Sequence, residues 1–259
     1  LSSTPKRVLL YQYFGWQPPI YVHTPILRNS DRSKLSKRQG HASFDWYREQ
    51  GILPEALLNF LALLGWSHPE EKEIFSFDEF IRLFDLKDIN PIGPVFDLKK
   101  LEWMNGIYIR QKSDQELVQL LEPFLPEMTK NQIAQAIPLI KERIRKLADA
   151  AELLEFVWRR VDYSPDLLLQ RNLTKSQVKE MLLEAKQIIE TIGVEQTEKL
   201  QQKLLDLIAE KNWNTGAFFM VFRIAICGKK VTPPIVESLV LIGENETLSR
   251  LEIAIQKLS

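Results

Sequence analysis

The sequence predicts a mainly α-helical fold, and three observations carry that expectation. Residue pairs with capping-box spacing recur along the chain: Ser76 with Glu79, Ser113 with Glu116, Thr129 with Gln132 and Thr174 with Gln177. In each pair the hydroxyl can accept from the backbone N–H three residues on, while the longer acid or amide reaches back. Each stands before apolar residues of helical period; Leu117, Leu120, Leu121 and Phe124, for example, fall at i, i+3, i+4 and i+7. Strand-like runs are few, the best being "PIYVHTPIL" at 19–27.

Taken in order, the chain opens "LSSTPKRVLLYQYFGW", with Thr4 as the expected N-cap, Pro5 at the first helical position and Gly15 as the stop. No initiator Met precedes Leu1, and the opening reads as a domain entered partway, so further residues are expected ahead of it. The strand-like run leads into "LRNSDRSKLSKRQGHAS" at 27–43, where Arg28, Arg32, Lys34, Lys37 and Arg38 face one acid, Asp31. Helices are expected from about residue 43 onward. In "DWYREQGILPEALLNFLALLGWS" (45–67), Pro54 starts a helix ending at Gly65, and Leu57, Leu58, Phe60, Leu61 and Leu64 give it a broad apolar face. Packing accounts for nearly all of that segment. In "GPVFDLKKLEWMNGIYIR" (93–110), Asp97 caps a short helix predicted to end at Asn105-Gly106.

Ile133, Ile137, Ile140, Ile144 and Leu147 form one continuous helical stripe. That stripe places Lys141, Arg143, Arg145 and Lys146 of "IPLIKERIRKLADAAELL" (137–154) on a single helix. Leu200, Leu204, Leu207 and Ile208 mark a later helix. Gly228 closes the one containing "FFMVFRIAIC", Thr232 and Pro233 start the next, and Gly243 stops it.

Composition limits the function. With 259 residues, 45% of them hydrophobic, the chain can bury a sizeable core and more than one domain. Its 34 basic and 34 acidic residues balance, so nucleic-acid binding would have to come from local patches. A single cysteine, Cys227 in an apolar run, excludes an intramolecular disulfide framework. Three scattered histidines (His23, His41, His68) without a CxxC pattern leave no zinc site to propose. No apolar stretch reaches the roughly 18 residues of a membrane span, and the start is not a secretory signal. A soluble, reducing compartment is the expectation.

The basic run at 28–38 has two readings. Charge runs on connections are ordinarily solvated surface loops. This one follows a strand-like segment and contains Lys-x-x-Lys-Arg, and lysine ammonium groups on a loop can follow a polyphosphate as its charge develops. The glycine pattern of a P-loop is missing, so a backbone phosphate cradle is not expected. The cations at 141–146 read, by themselves, as a solvated helix face.

Wording and order together narrow these alternatives. "STPKRVLLYQYFGW", "ILRN", "KLSKR", "ILPEALLNFLALLGW", "GPVFDLKKLEWMNGIYI" and a terminal "PPIVESLVLIGENETLSRLEIAI" resemble, in this order, the bacterial-type glutamyl-tRNA synthetases. The resemblance runs from the first residue to the last. "KLSKR" (34–38) is similar to the Lys-Met-Ser-Lys-Ser signature of class I aminoacyl-tRNA synthetases.

The resemblance implies a C-terminal remnant of a Rossmann-type catalytic domain at 1–38, a stem-contact domain at 39–110, and an all-α anticodon-binding cage. The cage would have two sub-domains, at 111–165 and 166–259. It implies ATP-dependent activation of glutamate and transfer of the glutamyl group to the 3′ end of tRNA. ATP, glutamate and tRNA are then the partners, with magnesium implied by ATP, no zinc, no membrane, a monomeric enzyme and a cytoplasmic location. By position Lys37 is the phosphate-contacting catalytic lysine, with Lys34 and Arg38 supporting it and Ser36 holding the loop. Ile26 and Leu27 would lie beside the adenine. Arg143 falls where the family can place an arginine that reads the third anticodon base, with Lys141 and Arg145 next to it.

One departure stands out: no histidine here is followed by x-Gly-His, the other class I signature. The resemblance assigns that motif and most glutamate contacts to a portion ahead of Leu1, so the isolated chain is expected to be inactive. The alternative is a non-catalytic helical tRNA-binding module derived from such a synthetase.

Overall fold

The computed structural model describes residues 3–29, 31, 33, 43–170 and 173–258. The 34–38 signature, with Lys34, Ser36, Lys37 and Arg38, therefore lies outside the described residues. The chain divides into two compact units, Leu1–Asn105 and Gly106–Ser259.

In the first unit, α1 runs Thr4–Tyr13 with Pro5 in its first turn. Ser3 occupies the N-cap position without a side-chain cap bond, so Thr4 lies inside the helix rather than capping it. Its hydroxyl sits 3.4 Å from His23 Nε2 instead. Gly15 adopts φ +65°, the left-handed geometry expected of the stop. None of the α1 residues is buried, and Leu9, Leu10, Tyr13, Phe14 and Trp16 are exposed.

The strand expected at 19–27 does not form. One isolated parallel bridge, Arg28 with Val95, is what the segment contributes among the described residues. Alternating apolar residues need a partner strand along their length, and here the partner is a single short segment that meets the chain at Arg28.

Helices then follow: α2 (Phe44–Glu49), α3 (Pro54–Gly65), α4 (Phe77–Leu83) and α5 (Leu98–Gln111). Tyr47, Ile52, Leu57, Phe60, Phe96, Leu101 and Met104 form the core of this unit. The apolar face of α3 is only partly used: Phe60 is fully buried, whereas Leu58 and Leu61 are more than 40% exposed. A second cluster gathers Trp66, His68, Phe75 and Phe80. His68 Nδ1 accepts the Glu70 N–H at 3.0 Å, which leaves the ring proton on Nε2 facing Glu79 Oε1 at 3.2 Å. Glu79 is thus drawn to His68 and Lys72. Ser76 Oγ accepts the Glu79 N–H, one half of the predicted box.

Helix α5 corrects another expectation. Asp97 does cap it, Oδ1 accepting from the N–H groups of Lys99 and Lys100, but the helix runs through Asn105-Gly106 to Gln111. The Asn105 amide is committed to tertiary contacts. It accepts the Leu53 N–H at 2.7 Å and donates to the Gly51 carbonyl at 3.3 Å, pinning the turn between α2 and α3.

The second unit holds α6 (Asp114–Leu121), α7 (Lys130–Ile140), α8 (Asp149–Trp158), α9 (Lys175–Ile192) and α10 (Thr197–Glu210). It continues with α11 (Thr215–Cys227), α12 (Ile235–Ile242) and α13 (Glu244–Gln256). The capping boxes at Ser113, Thr129 and Thr174 form with both halves in place. Val178, Leu182, Leu204, Phe218, Phe222, Leu239 and Leu251 are among the core residues that join α9 to α13. Burial of each such side chain contributes about 1.5–3 kcal/mol before entropy is counted. Gly228 ends α11 at φ +68°. Thr232 and Pro233 do not start the following helix: it begins at Ile235 after Pro234, and the Thr232 hydroxyl donates to the Pro233 carbonyl.

The continuous helix expected across 137–154 is broken. Helix α7 ends at Ile140, residues 141–148 form a turn, and α8 starts at Asp149. Asp149 Oδ2 accepts the N–H groups of both Arg145 and Lys146, at 3.0 and 2.9 Å. A carboxylate that captures two backbone donors competes with the helical carbonyls for them. Ile144 and Leu147 stay buried, from the turn rather than from a helix face.

Candidate functional site

Two places carry candidate chemistry, one in each unit. In the first, the segment at Arg28, where the basic run of the sequence begins, is clamped to residues 93–96. The Arg28 N–H donates to the Pro94 carbonyl at 3.0 Å, and the Phe96 N–H donates to the Arg28 carbonyl at 2.8 Å. A Cβ at Gly93 would lie 3.0 Å from the Ile26 carbonyl oxygen and 3.1 Å from Arg28 Nε, so glycine is what permits this approach. Leu27 packs on the core of its unit, while Ile26 is 60% exposed. Among the described residues, the backbone N–H and C=O groups of Ile26 and Leu27 make no hydrogen bond, unlike those of Arg28.

Just beyond the clamp, Asn29 and Ser33 form a small knot. The Asn29 N–H donates to the Ser33 carbonyl and its amide to Ser33 Oγ, both at 2.8 Å. The Ser33 N–H donates to Asp31 Oδ1 at 2.8 Å. The Ser33 hydroxyl and N–H hold the Asp31 carboxyl below the ordinary carboxylate range. The acid of this basic run is therefore committed to shaping the chain locally.

In the second unit, the turn at 141–148 presents the other cluster. Lys141 Nζ donates to the Lys112 carbonyl at 2.7 Å and to Asp114 Oδ1 at 2.9 Å. Glu142 lies 3.7 Å from Arg110 Nε, and Lys146 Nζ is 3.9 Å from Asp149 Oδ1. Arg143 and Arg145 are both exposed. Arg143 makes no side-chain hydrogen bond or ion pair among the described residues, while its N–H donates to the Ile140 carbonyl at 2.8 Å. The backbone of this turn comes close to α5: a Cβ at Gly106 would lie 3.6 Å from Arg145 Cα and from the Ile144 oxygen.

The structure thus brings Lys141, Arg143 and Arg145 together on one turn. It sets Ile26 and Leu27 directly before the Arg28 clamp. Gly93 and Asp149 were missed by sequence reasoning. Gly93 had a local signal, a glycine followed by proline, but not the identity of its distant partner. Asp149 reads in sequence as one more acid on a helix. Among the described residues no group of three or more His, Cys, Asp or Glu is placed to hold a metal ion. No helix among them is long and apolar enough to cross a membrane.

Comparison with known proteins gives two family matches along the chain. Residues 1–103 match the family described as tRNA synthetases class I (E and Q), catalytic domain, and residues 116–255 match the anticodon binding domain. The chain is similar to the glutamate–tRNA ligase of Acidothermus cellulolyticus, at 41% identity over 98% of this chain and 53% of that protein. To the glutamate–tRNA ligase of Dehalococcoides mccartyi it is 36% identical, over 100% of this chain and 55% of the relative. Among solved structures it resembles a glutamate tRNA ligase from Elizabethkingia meningosepticum crystallised with its amino acid. That likeness has a TM-score of 0.84 at 26% identity, over 100% of this chain and 56% of that one. The chain spans about half the length of the curated relatives it matches. With more than half of its residues in the second of those matches, the chain belongs to the anticodon binding domain family, and most of its other residues match the class I (E and Q) catalytic domain.

Proposed function

We propose that this chain supplies the phosphate-binding signature loop and the tRNA-gripping helices of a glutamate–tRNA ligase. The observation that carries the reading is the order of the two matched families in one chain, a class I catalytic domain followed by an anticodon-binding domain. In the reaction the glutamate carboxylate attacks the α-phosphorus of ATP, and pyrophosphate leaves with the electron pair of the broken P–O bond. The terminal hydroxyl of the tRNA then takes the glutamyl group from the adenylate and AMP departs. The remaining part of the catalytic site belongs to the other half of the relatives' length. On this reading 1–38 closes the catalytic domain and 39–110 supports the tRNA stem, while 111–165 and 166–259 hold the anticodon. The enzyme acts as a monomer in the cytoplasm.

Lys37, supported by Lys34 and Arg38, meets the triphosphate, and Ser36 holds the loop. Charge-assisted bonds of this kind contribute roughly 1.5–3 kcal/mol each. The uncommitted backbone groups of Ile26 and Leu27 suit the edge of an adenine, whose amino group donates and whose ring nitrogens accept. Arg143 has a guanidinium fork suited to a base edge and no competing partner among the described residues. Magnesium ordinarily accompanies ATP. The described residues offer it no ligand cluster, and no step here runs through it. In an enzyme carrying the complete catalytic domain, Lys37→Ala is expected to lower glutamate-dependent pyrophosphate exchange by orders of magnitude. An exchange rate near that of the unaltered enzyme would defeat the assignment.

A further inference from the structure

We infer that Asp149 is a positioning residue that sets Arg143 for base recognition, and that Lys141 tethers the same turn rather than contacting RNA. This rests on the reading of the second unit as an RNA-binding body. A guanidinium that distinguishes bases must be held closely, because hydrogen bonds weaken steeply as distance and angle depart from ideal. Arg143 lies on a turn, where no helical ladder supplies that order. Its backbone is fixed from both sides. Upstream, the Lys141 ammonium spends two of its three donors on the Lys112 carbonyl and Asp114 Oδ1, and its side chain is only 21% exposed. Downstream, Asp149 Oδ2 holds the N–H groups of Arg145 and Lys146. Between these ties, Ile140 and Ile144 are buried on either side of Arg143.

Asp149 is informative because charge and position predict opposite effects of removing it. An acid on a cationic, RNA-facing turn repels phosphate, so if only its charge mattered its loss would tighten binding to any RNA. If it positions the turn, its loss costs base discrimination.

The test uses the 259-residue chain with an RNA hairpin bearing a glutamate anticodon loop and hairpins differing from it only in the third anticodon base. Binding is measured over a salt series. D149A is expected to lose about tenfold in discrimination, approaching R143A, with its salt slope retained; a well-made base contact is worth roughly 5- to 150-fold. D149N is expected to discriminate like the unaltered chain, since its amide oxygen can accept the same two N–H groups. K141M is expected to leave the salt slope unchanged, whereas a lost phosphate contact would reduce it by about 1. If circular dichroism shows that D149A does not fold, D149S carries the same test, because its shorter hydroxyl cannot span both amides.

Three results would overturn the inference: D149A, or D149S in its place, discriminating normally; D149N failing as badly as D149A; or K141M lowering the salt slope. An unaltered chain that binds all the hairpins equally would overturn the RNA-reading assignment of Arg143 as well, which separates the two failures.

Discussion

Arg250 is a buried arginine of the second unit, and its surroundings show how such a charge is accommodated. Its Nη1 donates to the carbonyls of Phe156 and Ile226 and its Nε to Glu246 Oε1, so the ends of α8 and α11 are joined to α13. Glu246 also takes Arg160 in a two-pronged bond, at 2.6 and 2.5 Å. The Arg160 contact is the main reason that its carboxyl is held at about 2 instead of 4.5; partial burial opposes the shift and Arg250 adds to it. The sign follows directly. A carboxyl with a lowered folded pKa contributes stability that is complete above about 4.5 and is lost as pH falls toward about 2. The gap in thermal midpoint between the unaltered protein and Glu246→Gln should therefore be largest near neutral pH and shrink through that window. A gap that stays constant down to pH 2 would show that the ion pairs are not its source.

At the scale of elements, local terms decide where most helices begin and tertiary approach decides several of their ends. Thr174 begins α9 with a complete capping box, a feature whose loss costs about 1 kcal/mol. Gly228 ends α11 under a stricter constraint. Its φ of +68° is strained for any side chain, by roughly 1–2 kcal/mol. A Cβ there would also sit 2.6 Å from the Val161 carbonyl oxygen and 2.8 Å from Val161 Cβ. Gly228→Ala should therefore lower the thermal midpoint by clearly more than Thr174→Ala does. Equal losses in the two variants would mean that the chain around Val161 yields freely.

At the scale of the whole molecule, the two units play unequal parts in the proposed reaction. The second unit has a large core and presents its basic turn on the surface. In the first, α1 buries none of its residues, and Phe14, Trp16, Ile20 and Ile26 are exposed. The curated relatives are nearly twice as long. RNA binding and amino-acid activation should accordingly separate. The 259-residue polypeptide is expected to bind the anticodon hairpin and to form no glutamyl-adenylate. Glutamate-dependent pyrophosphate exchange above background with this polypeptide would contradict that expectation.

The amino-acid order alone was enough to establish the helical character, the capping boxes at Ser113, Thr129 and Thr174, the helix stop at Gly228 and the family. Each of these depends on residues within about four positions of one another, or on motifs read in succession, so no distant partner is needed to see it. Tertiary structure alone decided that 19–27 is not a strand, that α5 continues past Asn105 and that Arg143 stands on a turn. In each case the deciding partner comes from another element or from a side chain whose local role is ambiguous: the Gly93–Phe96 segment for Arg28, the Gly51–Leu53 turn for Asn105, and the Asp149 carboxylate for two amides that a helix would otherwise have claimed. A pattern can show that such a group has hydrogen bonds to give; only the folded chain settles which groups receive them.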